Sequence, residues 1–392
     1  MNSKKVDVLI VGGGLIGVSL SLTLAAQDLE VLLIENYALS TQTEPHFDAR
    51  SLALAPASIN ILQSLNMCDA LHRHASPVNT IHISQQGHFG SARLKEKEPL
   101  GSVIELYYLQ KVLMEAVNPG SIWTSAQLIG LDPATGIATI EHESSIKQVH
   151  AQLIVAADGT HSRVRGFTAL KCIEKDYNQH AISANIGLAR AHEGIAYERF
   201  TPTGPLAMLP LTEQRSALVW ALDPEKAALY MQANETTFLN FLQKSFGYRL
   251  GRFTLLGKRS LHPLKQVFMP QTCAWPIVFI GNAAHSLHPV AGQGFNLGLR
   301  DVAMLAQCIV NVGLNREMLN LYQSMRTYDQ QTIRYFTHGL VSLFTTKLPG
   351  MGYFRGLGLL ALEHSPSFKA LISEHAKGFA GISSDLACQV PL

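Results

Sequence analysis

The sequence predicts an α/β protein: a parallel-sheet domain, discontinuous along the chain, with a mainly antiparallel β-sheet inserted into it and a helical C-terminus. Three observations predict it. A glycine-rich turn, Gly12-Gly13-Gly14-Leu15-Ile16-Gly17, joins an apolar run to a helical stretch. Two loop motifs far downstream, Ala157-Asp158-Gly159-Thr160-His161-Ser162 and Gly281-Asn282-Ala283-Ala284-His285, each follow another apolar run. Between those motifs the pattern changes to short strand-like runs separated by turns, the mark of a mainly antiparallel region.

Taken in order, Val6–Val11 is short, apolar and β-branched, as a buried parallel strand is. Leu15–Ala26 reads as a helix entered from the glycine turn, and Val31–Ile34 as the next strand, ending at Glu35. That is a βαβ unit of about 30 residues. Ala55–Leu65 and Leu109–Val117 read as helices and Leu153–Ala157 as a strand. Strand-like runs then recur at Ala181–Leu188, Ala196–Phe200, Leu206–Leu209 and Ser216–Leu222, with a helix near Thr236–Gln243. Pro276–Ile280 returns to a buried strand and Phe295–Val312 to a helix. The implied division puts 1–75, 97–168 and 271–335 in the first domain, 169–270 in the inserted one, and 336–392 in a helical C-terminal segment. Residues 76–96 lend strands to the inserted domain.

Composition narrows the function classes. Hydrophobic residues make up 47% of 392 and charged residues 15%, so a large core is expected. A net charge of +2 gives no electrostatic case for nucleic acid. The five cysteines, Cys68, Cys172, Cys273, Cys308 and Cys388, form no CxxC pair, which fits reduced thiols and a cytoplasmic protein. No run of about 18 uncharged apolar residues suggests a membrane span. The stretch Gly339–Leu362 carries few charges, with Phe344, Tyr353 and Phe354 expected at its surface. It reads either as packed helices or as a surface that touches a bilayer, peripherally, or a partner protein.

The glycine turn has a chemistry. Gly12, Gly14 and Gly17 let the backbone approach a pyrophosphate, whose charge meets the free N–H groups of a helix start. Glu35, 18 residues past Gly17, is placed to accept hydrogen bonds from an adenosine ribose. Strand, turn, helix and carboxylate together make this a Rossmann-type site for FAD or NAD rather than NADP. Asp158 and Ser162 could instead be helix caps. The loop carrying Asn282, His288, Pro289, Gly292, Gln293, Gly294 and Asn296 opens into a helix. That start is a positive pole suited to a reduced, anionic flavin ring. His285 and His288 are spaced as a metal pair, but Pro289 breaks the helix and no third ligand is near, so no metal is expected. Arg50 and Gln110 are unremarkable taken singly.

With these motifs in this order, the chain resembles the flavoprotein aromatic hydroxylases of the para-hydroxybenzoate hydroxylase fold, in the ubiquinone-biosynthesis branch. The likeness is strong over residues 5–335 and looser beyond. The stretches His192-Glu193-Gly194, Glu198-Arg199-Phe200-Thr201 and Gly204-Pro205-Leu206-Ala207-Met208-Leu209-Pro210 resemble the branch members acting on a 2-polyprenyl-6-methoxyphenol.

The resemblance implies FAD as cofactor, NAD(P)H and O2 as co-substrates, a polyprenylated phenol as substrate, and ring hydroxylation through a C4a-hydroperoxyflavin. It implies that Gly12, Gly14 and Gly17 hold the pyrophosphate and Glu35 the ribose. Arg50 and Gln110 lie along the cofactor, Arg50 near the ring. Asp158 serves the FAD and the reduced nicotinamide. His288, Pro289, Gly292 and Gly294 surround the flavin ring, with Asn282, Gln293 and Asn296 in the same loop. Two positions depart from the wider family: Asn282 stands where most relatives have aspartate, and Tyr107 where many have an arginine on a phosphate. Met208, Leu209, Pro210 and Trp220 are candidates for the substrate pocket. Hydroxylation of another ring carbon, a FAD-bound reductase, and a non-catalytic scaffold subunit of the biosynthetic complex remain alternatives.

Overall fold

Alternation along the first strand, Ser3–Val11, sends Val8 and Ile10 into one core and Leu9 and Val11 into another. The strand is the centre of a mostly parallel sheet. Val8 lies opposite Leu153 of Ser145–Ala156 on one side and opposite Val31 of Val31–Ile34 on the other. Ile122–Trp123 and Ile277–Phe279 extend the sheet in parallel on its two sides, and the antiparallel Cys273–Ala274 edges it beyond the latter. Buried on both faces, such a sheet must be covered twice. The helices Leu15–Leu24 and Gln293–Val312 share the first core with it. The antiparallel strands Ala126–Asp132 and Ile137–His142 share the second. The computed structural model describes residues 3–38, 50–212, 214–288, 290–346, 348–379 and 381–392.

A second sheet has nine described strands. Its centre is Ile173–Leu188, Arg215–Leu222, Gly204–Pro210 and Ile195–Thr201, all antiparallel neighbours. Thr80–Gln85 and Ser91–Lys95 join it, the former pairing in parallel with Ile195–Thr201. One face is closed by two helices, Pro224–Gln232 and Glu235–Phe246. The first was not foreseen. It buries only Ala227, so no apolar stripe marks it, although Pro at its start and Asp223 before it are ordinary helix-entry signals.

Three α-helices follow, Arg316–Thr345, Met351–His364 and Pro366–Lys377, and then a short 3-10 turn, Leu386–Cys388. Asn315 caps the first, its Oδ1 accepting from the Met318 N–H at 2.9 Å. That helix runs unbroken across residue 335, where the sequence reading divided the chain. Met318, Tyr322, Ile333 and Val341 keep one buried face along it, so nothing local interrupts it. Phe344, expected at the surface, is buried, whereas Tyr353 and Phe354 are exposed. Among the described residues no helix is long and apolar enough to cross a membrane.

Candidate active site

The glycines of the first turn do different jobs. Gly12 has φ +111°, and a Cβ there would lie 2.6 Å from the Ala157 carbonyl oxygen. A Cβ at Gly17 would overlap the Gly12 carbonyl oxygen. At Gly14 a Cβ would meet nothing within 4 Å. Gly12 and Gly17 are therefore required by packing, while Gly14 leaves an open floor. Gly14 is also the N-cap of Leu15–Leu24 and supplies no side-chain cap, so the first N–H groups of that helix face the opening. Glu35 braces the turn: its Oε2 accepts from the Gly13 N–H at 2.6 Å and its Oε1 from the Tyr37 N–H at 3.0 Å.

Asp158 carries two roles at once. Its Oδ2 caps the short helix Arg163–Gly166, accepting from the N–H groups of Arg163 at 2.7 Å and Val164 at 3.2 Å. Its Oδ1 is buried and has no partner among the described residues. A buried carboxylate oxygen left unmatched is costly, so this atom is set to receive a donor from a bound molecule.

In the third motif, Asn282 is exposed on a short 3-10 turn, Gly281–Ala283. Gly292, left-handed at φ +61°, is the N-cap of Gln293–Val312 and again supplies no side-chain cap. A Cβ on Gly294 would meet nothing within 4 Å. The histidines diverge. His285 Nε2 pairs with Asp301 Oδ2 at 2.5 Å, in a buried cluster where Arg326 Nε also reaches Asp301 Oδ1 at 2.9 Å. Burial opposes the charge on Asp301, but His285 and Arg326 overcome it and hold the carboxyl well below the usual range. Pro289 lies outside the described residues.

One cavity of about 910 Å³ collects these parts. Gly14, Asn282, Gly292, Gln293, Gly294 and Asn296 line it at one end, with Ala157 and Gly159 flanking Asp158. Its far walls are apolar. The free face of the second sheet contributes Ile81, Ile83, Phe200 and Leu209, and the C-terminal helices contribute Phe344 and Leu359. Glu198 is the acid on that sheet face, and burial pushes its carboxyl up to about 7.

Several expected site residues stand elsewhere. Met208 and Pro210 alternate with Ala207 and Leu209, and it is Ala207 and Leu209 that reach the cavity. Met208 and Trp220 instead pack with Phe238 and Phe246 behind the sheet. Period-2 alternation separates two faces, and both are apolar here. His288 is turned from the cavity: its Nδ1 accepts from the Val290 N–H at 3.2 Å and its Nε2 faces Gln179 Oε1 at 3.3 Å. Burial lowers it to about 4, so it is neutral. Asn296 spends its side-chain amide on protein backbone. Arg50 and Gln110 are exposed and outside the cavity lining. The Arg50 carbonyl accepts from the Leu106 N–H at 2.6 Å. The C-terminal stretch was expected as packed helices or a contact surface and Glu198 only as part of a family-like stretch; neither was expected as a wall of this cavity. The signal available was the apolar tail itself, and one acid inside an otherwise apolar alternation.

Two uncapped helix starts opening on one cavity, with the unmatched Asp158 oxygen between the lining residues Ala157 and Gly159, fit a dinucleotide with an electron-accepting ring. The comparisons agree. Residues 5–333 match the family model described as an FAD binding domain. The ubiquinone hydroxylase UbiL of Rhodospirillum rubrum is 31% identical, over 96% of this chain and 90% of that protein. The 3-demethoxyubiquinol 3-hydroxylase of Escherichia coli is 28% identical, over 96% of this chain and 100% of that protein. The crystal structure of p-nitrophenol 4-monooxygenase PnpA from Pseudomonas putida DLL-E4 superposes with a TM-score of 0.78. It is 16% identical and covers 97% of this chain and 99% of its own, a likeness of fold.

Proposed function

The chain belongs to the FAD binding domain family, and from that premise we propose that it hydroxylates the ring of a polyprenylated phenol, 2-polyprenyl-6-methoxyphenol being the substrate. It is an FAD-dependent hydroxylase of the ubiquinone-biosynthesis group, with FAD as cofactor and NAD(P)H as the family's reductant. The observation that carries the substrate reading is the cavity: a polar, glycine-lined end continues into a long apolar space. FAD, when bound here, would supply the reaction's redox chemistry with O2.

The chain's own residues bind, orient and exclude water. The Leu15–Leu24 helix start would hold the pyrophosphate over Gly14, with Glu35 toward the ribose. Asp158 Oδ1 would accept a donor from the cofactor. The uncapped start of Gln293–Val312, beside Gly292 and Gly294, would stabilise negative charge on the ring. Asn282 would meet the chain linking ring and phosphates, and Arg50 and Gln110 would lie along the cofactor's exposed side. Phe344, Leu359 and Leu362 would receive the prenyl chain. Tyr353, Phe354 and Leu357, exposed on the helix that carries Leu359 and Leu362, suit peripheral contact with the bilayer that holds such a substrate.

The test incubates purified protein with FAD, NAD(P)H, 18O2 and a short-chain 2-prenyl-6-methoxyphenol. One labelled oxygen on the ring supports the reading, and yellow protein that yields no labelled product refutes it. Fragmentation of the product locates the carbon. That matters because the E. coli relative is named for a 3-hydroxylation, which favours a different ring position as the second reading.

A further inference from the structure

The cavity holds a carboxyl that no cofactor contact explains. Glu198 sits on Ile195–Thr201, flanked on its own strand by Ala196 and Phe200. The neighbouring strands present Ile83 and Ala207 directly beside it, with Ile81 and Leu209 one step along. The residue opens on the cavity, yet its Oε1 is buried and has no partner among the described residues. Burial alone raises its pKa; no neighbouring charge contributes. Of the other titratable residues in the lining, Tyr197 turns its ring behind the sheet onto Phe246, and its hydroxyl pKa is raised by burial, while the rest stand on the C-terminal helices. Arg355 donates to the Thr346 carbonyl, and His375 Nδ1 faces the Leu371 carbonyl at 2.9 Å. Arg199 and His82, on neighbouring sequence positions, point to the opposite side of the sheet, where Arg199 bonds Ser84 and Ser245.

An unmatched acid in an apolar pocket is expensive unless a ligand satisfies it. The ligand group must be a donor, and it must sit amid apolar surface. A phenol hydroxyl on a prenylated ring is such a group. We propose that Glu198 is the catalytic base that accepts the substrate's phenol proton. This rests on the phenol reading above. In the step, the phenol O–H bond breaks, the proton joins the Glu198 carboxylate, and the electron pair stays on the phenol oxygen. Its donation into the ring makes the ring carbon a better nucleophile toward the electrophilic oxygen. A free phenol is a weaker acid than Glu198, so the proton moves as electron density leaves the phenol oxygen, as in general-base catalysis.

The test uses the FAD-loaded protein and Glu198→Gln, which keeps the shape and removes the base. The probes are 2-allyl-6-methoxyphenol and a ring-fluorinated analogue of lower pKa. Flavin content and the rate of flavin reduction by NAD(P)H should match wild type, showing an intact fold. Single-turnover hydroxylation of the allyl phenol should fall about 100-fold. The fluorinated phenol, whose lower pKa makes its proton easier to lose without a base, should show a smaller loss. The wild-type rate should rise through pH 7, and the variant should be flat there. A variant within about 3-fold of wild type, with the same pH profile, overturns the assignment and leaves the phenol reading standing. Wild type and variant both binding FAD, both reduced, and both silent toward the phenol would overturn the phenol reading and this inference with it.

Discussion

Asn296 holds the Ala53 backbone to the start of the cavity helix: its Nδ2 donates to the Ala53 carbonyl at 2.9 Å, and its Oδ1 accepts from the Ala55 N–H at 2.8 Å. The same Nδ2 reaches the Gly292 carbonyl at 2.7 Å. One side chain thus ties the strand Ser51–Leu54 and the helix Pro56–Ser64 to Gln293–Val312. Asn296→Ala leaves the buried Ala55 N–H unmatched and should cost about 1–3 kcal/mol. Thermal unfolding of the FAD-free protein checks this. FAD retention should fall with it, because the Gly292 turn loses its brace. A melting temperature within a degree of wild type would show that the amide is not a strut.

The two kinds of glycine in the first turn should separate in mutants. Gly14→Ala adds a methyl to empty space at an extended backbone, so the FAD-free protein should melt as wild type does. The methyl occupies the floor over which a pyrophosphate would lie, so FAD affinity should drop at least about 10-fold, a loss of about 1.4 kcal/mol. Gly17→Ala overlaps the Gly12 carbonyl and should destabilise the fold itself. Equal melting losses in both variants would contradict the division.

Much of this was readable in the sequence, and the limit has a physical shape. The strand at Val31–Ile34, the glycine turn and Glu35 follow from local pattern, because each rests on backbone geometry that neighbouring residues determine. The face of the inserted sheet does not. Met208 and Leu209 are both apolar, and only the later helix carrying Phe238 and Phe246 decides which side becomes solid core. His288 was misplaced for a related reason. Its partner Gln179 is 109 residues away, on a strand whose register no local signal fixes. The tail read as an apolar stretch of uncertain use, and its role as a cavity wall depends on a long-range stack.

His288 should leave a mark on acid stability. Burial lowers it to about 4 in the fold from the ordinary 6.5, so the folded protein prefers it neutral. The stability tied to that preference is whole above pH 6.5 and is lost as pH falls toward 4. Between pH 7 and 5 the loss should be about 2 kcal/mol for one such histidine. His82, lowered to about 4 by burial and by Arg249 and Arg93, acts in the same window. Urea unfolding at the two pH values should therefore show a smaller drop for His288→Asn than for wild type. An identical drop would sink the claim.

The cavity's dry end depends on a stack between distant parts of the chain. Phe200, from the second sheet, and Phe344, near the end of Arg316–Thr345, lie with ring centroids 3.4 Å apart and planes within 10°. Val290 and Val341 complete that cluster beside the cavity. Removing one ring should cost about 3 kcal/mol of packing and open a path for water from the tail side. Water at the reacting centre diverts reducing equivalents to hydrogen peroxide rather than product. Phe344→Ala should accordingly raise peroxide formed per NAD(P)H severalfold, while flavin reduction proceeds at the wild-type rate. Phe344→Leu, which keeps most of the apolar bulk, should recover much of the coupling. If Phe344→Ala lowers the melting temperature but leaves the peroxide yield unchanged, the stack supports the fold and something else keeps the cavity dry.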